Sequence, residues 1–394
     1  MTDALAPPTD VLREVVEALA PLRRNPGSEG EREAAEWIAR RLGEAGADAR
    51  IEAEEVSSTF YLPIGAHSAL GAAAGAASLL GARRFGALVG AAAAAGLWED
   101  LTGGSRRPLR RMMPKATVRN VVAEAGDRDA ARTIVLVAHH DAARTSFIFD
   151  ETLPHVLIDH FPAVVDRMDR WPPLMGLVFL GPALVAAGSL TGRRAIVAMG
   201  TATSAASAAV MADMGTNEVV PGANDNLSSV AVLVRIAEAL RADPVENVRV
   251  LLVSTAAEEA NQEGMLAFAR RHFAELPKET TTFLALEMLG SGELVVVEGE
   301  GFLRMYDYPE AFRDELAAAG AAAGVHVRRG LRTTYASDAL IPRRAGYQCG
   351  MLCSVNEYLL PREYHKPTDT PDRLDWNCVA DGARLVEALV RRLG

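Results

Sequence analysis

The chain has 394 residues, 49% hydrophobic and 23% charged, which excludes a largely disordered protein and allows one large α/β domain with insertions, or two domains. Its net charge of −10 excludes the concentrated basic surface that nucleic acid requires. Three scattered cysteines, Cys349, Cys353 and Cys378, form neither a disulfide framework nor a zinc-finger spacing, and a strand would hold Cys349 and Cys353 too far apart to bridge, so a reducing compartment is expected.

The amino terminus, MTDALAPPTDVLREVVEALA, carries acidic residues and prolines where a secretory signal needs basic residues and an apolar core. A cytoplasmic location is therefore expected. Thr9 or Asp10 can cap a first helix through about Arg23, with Val11, Val15, Val16 and Leu19 as its apolar stripe. Ser28 and Glu31 read as a capping box for a second helix, ended by Gly43 or Gly46 before a strand near Ala49. A strand from Val118 precedes the run Ile134 to Ala138, whose unbroken apolar character is that of a strand buried on both faces. After Asp225 come an apolar-faced helix, then strands at VRVLLVST, FLALEM and LVVVEG, a helix over Glu310 to Ala322, short strands at VHVRR and YQCGMLCS, and a helix from Trp376. This alternation predicts a three-layer α/β fold with a mixed, largely parallel sheet flanked by helices.

Two segments interrupt it. Residues 62–98 and 174–212 are almost uncharged apart from Arg83-Arg84 and Arg193-Arg194 near their middles, and each reads as a helical hairpin turning at its arginine pair. The predicted division is a catalytic α/β domain over 1–60, 99–170 and 213–394, with hairpins over 61–98 and 171–212. Tyr61, Trp98 and Trp171 stand at the outer ends, where interfacial aromatics of membrane hairpins belong. The arms, rich in Ala, Gly, Ser and Thr, fit close packing in a membrane and equally a soluble lid or a dimerisation arm of a homo-oligomer. On the membrane reading, Arg106, Arg107, Arg110, Arg111, Lys115 and Arg119 beside the first hairpin place the α/β domain at the cytoplasmic face, against which the arginine turns argue.

Chemistry concentrates at the carboxyl ends of the buried strands, where open α/β sheets hold ligands. AHHDA supplies His139 and, two residues on, Asp141, a carboxylate able to orient a metal-binding imidazole. GANDN places Asp225 just before a helix, where a lone aspartate is ordinarily a cap. Glu258-Glu259 follow one apolar strand and Glu287 ends another; His365 lies in the loop YHKPTDT with Asp369 four residues on. Two imidazoles and three or four carboxylates are the donor set for a pair of divalent ions that share one carboxylate, most simply zinc.

With these motifs, together with PGSEGEREAAEWIARRL, SDALIPRRAGY and LALEMLG, the sequence resembles the M28 family of zinc peptidases, which includes bacterial aminopeptidases. The resemblance covers the chain outside the two hairpins. It implies a zinc-exopeptidase-like fold with His139, Asp225 and Glu287 on one metal, Asp225, Glu259 and His365 on the other, Glu258 as general base, and Asp141 supporting His139. Tyr335, three residues before Asp338, is the candidate donor to an oxyanion. The chain departs from the family in having Glu287 where aspartate is common, a longer segment after Glu259, no histidine after Ser337-Asp338, and a long insertion between Asp141 and Asp225. His155, Asp159 and His160 in that insertion read as lining or solvated residues. The implied activity is removal of amino-terminal residues from short peptides. Glutaminyl-cyclase-like aminoacyl transfer on one zinc, and a non-catalytic membrane module of the same fold, are the competing functions.

Overall fold

The computed structural model describes residues 8–103, 108–161, 163 and 168–394; Arg106 and Arg107 lie outside them. Among the described residues nine strands run β1 (Asp48–Ser57), β2 (Lys115–Gly126), β3 (Arg132–His139), β4 (Val248–Thr255), β5 (Thr281–Glu287), β6 (Glu293–Val296), β7 (Gly299–Glu300), β8 (Tyr306–Asp307) and β9 (Gln348–Val355). Seven form one sheet in the order β1-β2-β4-β3-β5-β9-β6, and β7 and β8 form a separate ribbon. The four central strands β4, β3, β5 and β9 run parallel, while β1, β2 and β6 are antiparallel to their neighbours. This is the mixed sheet that the alternation of strands and helices predicts.

The helices are α1 (Pro8–Leu19), α2 (Glu29–Glu44), α3 (Tyr61–Leu79), α4 (Arg83–Leu101), α5 (Pro108–Met112), α6 (Thr152–His160), α7 (Leu174–Thr191), α8 (Arg194–Thr216), α9 (Ser228–Ala242), α10 (Glu263–His272), α11 (Glu310–Ala322), α12 (Leu340–Ala345) and α13 (Trp376–Leu393). One sheet face buries Ile134, Leu136, Leu252 and Leu284 against α1, α2, α9, α11 and α13. The other buries Val135, Val137, Val253 and Phe283 against α10, α12 and loop residues including Trp171. Alternate residues of β3 thus enter two different cores, which is why its sequence shows no polar alternation.

Several local expectations are corrected. Helix α1 begins at Pro8, so Thr9 and Asp10 lie inside it rather than capping it. Ser28 does cap α2, its Oγ accepting the Glu31 N–H at 3.1 Å. The Glu31 carboxylate does not complete a capping box, because it accepts the Arg119 backbone N–H at 3.0 Å instead. VHVRR forms a single bridge, Arg328 to Val295, rather than a strand. It meets the outer edge of β6 through two backbone hydrogen bonds, Val296 N–H to the Arg328 carbonyl and Arg328 N–H to the Leu294 carbonyl.

Helices α3, α4, α7 and α8 pack into a four-helix bundle. Glycine permits the close crossings: a Cβ on Gly200 would lie 2.7 Å from both the Gly181 carbonyl oxygen and the Val185 nitrogen. Arg83, Arg84, Arg193 and Arg194 are exposed at the turns. At the opposite end Ile64, Leu97, Leu101, Val178, Met211 and Met214 close the bundle near the sheet. Trp171 is no outer aromatic: it is 1% exposed and belongs to the second sheet core.

The base of α4 is tied to the loop after Glu259. Arg110 Nε and Nη2 donate to Asp100 at 2.7 and 2.9 Å, and its Nη1 donates to the Thr59 and Ala260 carbonyls at 3.0 and 2.8 Å. Asn261 Nδ2 donates to the Asp100 carbonyl at 3.0 Å. Both partners of the ion pair are almost fully buried, so removing one is costly. Arg110→Met is expected to lower the unfolding free energy in a denaturant titration by about 3–5 kcal/mol, and adding Asp100→Leu to recover much of it. An unchanged midpoint for Arg110→Met would contradict this role.

Candidate metal centre

Strand β3 lies between β4 and β5, so the carboxyl ends of three adjacent strands deliver His139, the Glu258-Glu259 pair and Glu287 to one place. Asp225 arrives from the loop before α9. Its backbone is non-helical (φ −108°, ψ 86°) and the helix N-cap is Leu227, so Asp225 does not cap the helix. His365 comes from the loop after β9.

Asp225 joins the two halves. Its Oδ1 is 3.2 Å from His139 Nε2, which is also 3.5 Å from Glu287 Oε2. Its Oδ2 is 3.2 Å from His365 Nε2, which is also 3.2 Å from Glu259 Oε1. Single donor atoms of His139, Asp225 and Glu259 lie within 4.8 Å of one another. The structure thus gathers all five candidate ligands. The unusual Glu287 reaches the cluster from the strand end, the longer arm sufficing.

A surrounding layer holds them. Asp141 accepts the backbone N–H groups of Glu258 and Glu259 at 3.1 and 3.0 Å. Its Oδ1 is 3.5 Å from His139 Nδ1, and its backbone carbonyl is nearer, at 3.1 Å. Asp141 therefore positions the glutamate pair at least as directly as it does His139. Asp369 accepts the N–H groups of Asn224 and Asp225 at 2.7 and 3.1 Å. Asn226 Nδ2 donates to Glu287 Oε2 at 2.9 Å, and Gln262 Nε2 donates to Glu258 Oε1 at 3.2 Å and to the Ala336 carbonyl at 3.0 Å. Buried Arg24 donates to the His140 and Pro221 carbonyls, both at 2.8 Å, binding the end of α1 to two ligand loops. Left-handed φ values at Ala257 (64°), Met288 (51°) and His365 (53°) flank or include site residues, the backbone strain that accumulates at functional sites.

Sequence reasoning missed Arg24, Asn226, Gln262 and Tyr364, whose ring stacks on His365 at 3.9 Å. Tyr335 lies over the crevice, 5.4 Å from the Tyr364 ring, and burial pushes its phenol up to about 12. His140 points away, its Nδ1 3.0 Å from Ser254 Oγ. His155 stacks on Tyr358 at 4.1 Å, Asp159 accepts from the Tyr358 hydroxyl at 3.2 Å, and His160 is exposed; none joins the cluster.

The electrostatics call for cations. Burial raises the pKa of Glu258, Glu259 and Glu287, and neighbouring carboxylates add to it while the imidazoles pull the other way. Burial opposes a charge on His365, yet Glu259 and Asp225 outweigh it and push the imidazole up to about 10. His139 is likewise raised well above its usual range, against burial, by Asp141, Asp225 and Glu287. Asp225, though buried, is held below the carboxylate range by the two imidazoles. Among the described residues no lysine or arginine pairs with Asp225, Glu258, Glu259 or Glu287, and the buried Glu287 Oε1 has no hydrogen-bond partner. Metal ions would supply the missing charge and a partner for that oxygen. The donor set fits a pair of divalent ions.

A family likeness covers the carboxyl-terminal half. Residues 196–390 match the description "Peptidase family M28". This region, just under half of the chain, is similar to the M28 family. The matched region contains Asp225, Glu258, Glu259, Glu287, Tyr335 and His365, while His139 and Asp141 precede it. Comparison of the sequence with curated proteins gives no match. Among solved structures, LapB from Legionella pneumophila superposes with a TM-score of 0.57 at 13% identity, over 99% of this chain and 73% of that one. A leucine aminopeptidase precursor from Bacteroides thetaiotaomicron VPI-5482 gives 0.56 at 14% identity, over 97% and 96% of the two chains. A glutaminyl cyclase from Bacteroides thetaiotaomicron gives 0.57 at 14% identity, over 97% of each. At these identities the likeness is one of fold, and this chain has the fold of zinc-exopeptidase-type enzymes.

Because Asp141 holds both glutamates by their backbone, Asp141→Ala is expected to weaken divalent-ion binding by about 10–100-fold in a chelator competition, with α/β circular dichroism unchanged. Undiminished affinity would show that the glutamate pair needs no such support.

Proposed function

We propose that the protein is a two-metal exopeptidase that removes amino-terminal residues from short peptides. The observation that carries this reading is the Asp225 carboxylate, whose two oxygens each lie 3.2 Å from a different imidazole. His139, Glu287 and Asp225 Oδ1 form one ligand group; His365, Glu259 and Asp225 Oδ2 form the other. Two divalent ions bound there, most simply zinc, would polarise a peptide carbonyl and acidify water.

The chain's own groups divide the remaining work. Glu258 belongs to neither ligand group, and its carboxylate is oriented by Gln262. Its role is to take a proton from the attacking water and return it to the leaving amine, a task that burial favours by raising its pKa toward the working range. Asp141 keeps Glu258 beside Glu259. Tyr335, over the crevice, is assigned the hydrogen bond to the oxygen that becomes negative as the carbonyl is attacked. Aminopeptidases and glutaminyl cyclases share this fold, and the second ligand group is what favours hydrolysis over cyclisation on one zinc.

The four-helix bundle is assigned to a lipid bilayer. Its helices of 18 to 23 residues span about 27–35 Å, against roughly 30 Å of hydrocarbon. Leu174–Thr191 and Arg194–Thr216 are long and apolar enough to cross a membrane. Leu80, Leu88 and Leu190 are 89%, 74% and 72% exposed, and four arginines at the turns suit anionic headgroups.

Zinc-loaded protein is expected to release the first residue of free-amine peptides. Glu258→Gln should lower kcat by about 10²–10⁴-fold while retaining two metal equivalents per chain. Loss of ammonia from an amino-terminal glutamine peptide, with the chain intact and one metal bound, would favour cyclisation instead. The membrane assignment predicts that the protein stays in the pellet after alkaline carbonate extraction of expressing cells; full recovery in the supernatant would refute it.

A further inference from the structure

The ligand cluster stands between two spaces of very different size. On the sheet side lies a cavity of about 40 Å³, walled by Trp171, Met288, Thr333, Ser337 and Met351. Every one of these residues is buried, so the wall on the sheet side is closed to solvent. On the bundle side lies a cavity of about 510 Å³, reached past Glu258, Glu259 and His365 and walled by apolar residues such as Met175 and Val178 of α7 and Val210 and Met214 of α8. Tyr335 and Tyr364 border both.

Trp171 sets the smaller volume, and its place is fixed. Its backbone N–H donates to the Arg332 carbonyl at 3.2 Å, its indole Nε1 donates to the Leu359 carbonyl at 2.6 Å, and its ring lies 5.3 Å from that of Tyr335. Rotating the ring away would leave the Leu359 carbonyl unpaired in a buried place. One water needs roughly 10–15 Å³ in this measure, so the inner space holds about three waters, and bound ions would share it. A methyl group fits there; an isobutyl or benzyl group does not. The outer space is in the range of small-molecule sites, and most of its wall surface is apolar although side chains such as Arg144, Thr203 and Asn261 also reach it.

We propose that Trp171 is a specificity-determining residue that limits the amino-terminal residue of the substrate to Gly or Ala, while the bundle-lined cavity takes a large apolar side chain on the leaving side of the scissile bond. This rests on the peptidase reading. It places the end of the peptide against the closed sheet-side wall and routes the rest of the chain through the wider space. The substrate class is thus short peptides with a small first residue and a large apolar second one.

The test compares Ala-Phe-Ala, Leu-Phe-Ala and Ala-Ser-Ala by kcat/KM with zinc-loaded protein, and by calorimetric binding to the Glu258→Gln protein, which needs no turnover. Ala-Phe-Ala should exceed each of the others by at least about tenfold in both readouts, since a misfitting group costs 10–200-fold. Trp171→Ala should reduce the Ala-over-Leu ratio at least tenfold, Trp171→Phe less. Met351→Ala enlarges the same wall should Trp171→Ala fail to fold. Leu-Phe-Ala handled as well as Ala-Phe-Ala by the unaltered protein, or a ratio unmoved in every enlarged variant, would overturn the size limit alone. Preferential binding of Ala-Phe-Ala without release of alanine would sink the peptidase reading and leave the pocket assignment standing. Neither binding nor turnover of any peptide would end both.

Discussion

The constraint on which this structure depends is the gathering of like charges away from water. Asp225, Glu258, Glu259 and Glu287 converge with only two imidazoles among them, and burial, with Glu287 and Asp141 adding to it, pushes nearby Asp338 up to about 7. Carboxylates so placed repel one another and each loses hydration, so the arrangement must be imposed by the rest of the fold and balanced by positive charge. Much of the surrounding hydrogen bonding serves the first need. Asp369 fixes the backbone of the Asp225 loop, Asn226 fixes the Glu287 carboxylate, Asp141 fixes the Glu258-Glu259 backbone, and Arg24 fixes the loops bearing His140 and Gly222. The second need is met by the ions proposed to bind there.

The scaffold explains why these residues meet. Parallel strands buried on both faces end together at one edge, and side chains just beyond that edge are held by the stiffest part of the molecule. The bundle is joined to this edge rather than appended at a distance. The Arg110–Asp100 pair binds the end of α4 to Ala260, the residue after Glu259, and the sheet-side ends of α7 and α8 form a wall of the cavity outside the ligands. Packing of α3, α4, α7 and α8 is thereby coupled to the shape of the space a substrate would occupy.

The residues that could be read in the sequence were those whose context is one-dimensional. An apolar run ending in His-His-Asp, a Glu pair after another run and a carboxylate ending a third announce themselves by strand ends, and the structure places all of them at one edge. Residues whose role depends on distant partners did not. Arg24 looks like any basic residue after a helix, yet it binds carbonyls over a hundred positions away. Gln262 looks like loop filler, and Glu31 like half of a capping box, because their partners, Glu258 and the Arg119 N–H, are set by the fold. Trp171 was misread for the same reason: beside an apolar hairpin an aromatic suggests a membrane interface, and only the Arg332 and Leu359 carbonyls reveal that it turns inward.

The central claim, that Asp225 holds two cations jointly with His139 and Glu287 on one side and Glu259 and His365 on the other, is tested most directly by anomalous diffraction at the zinc edge from crystals grown with zinc. Two peaks about 3.5–4 Å apart, one against each oxygen of Asp225, are the predicted result. No peak at Asp225, or strong peaks bound only by other residues, would contradict it.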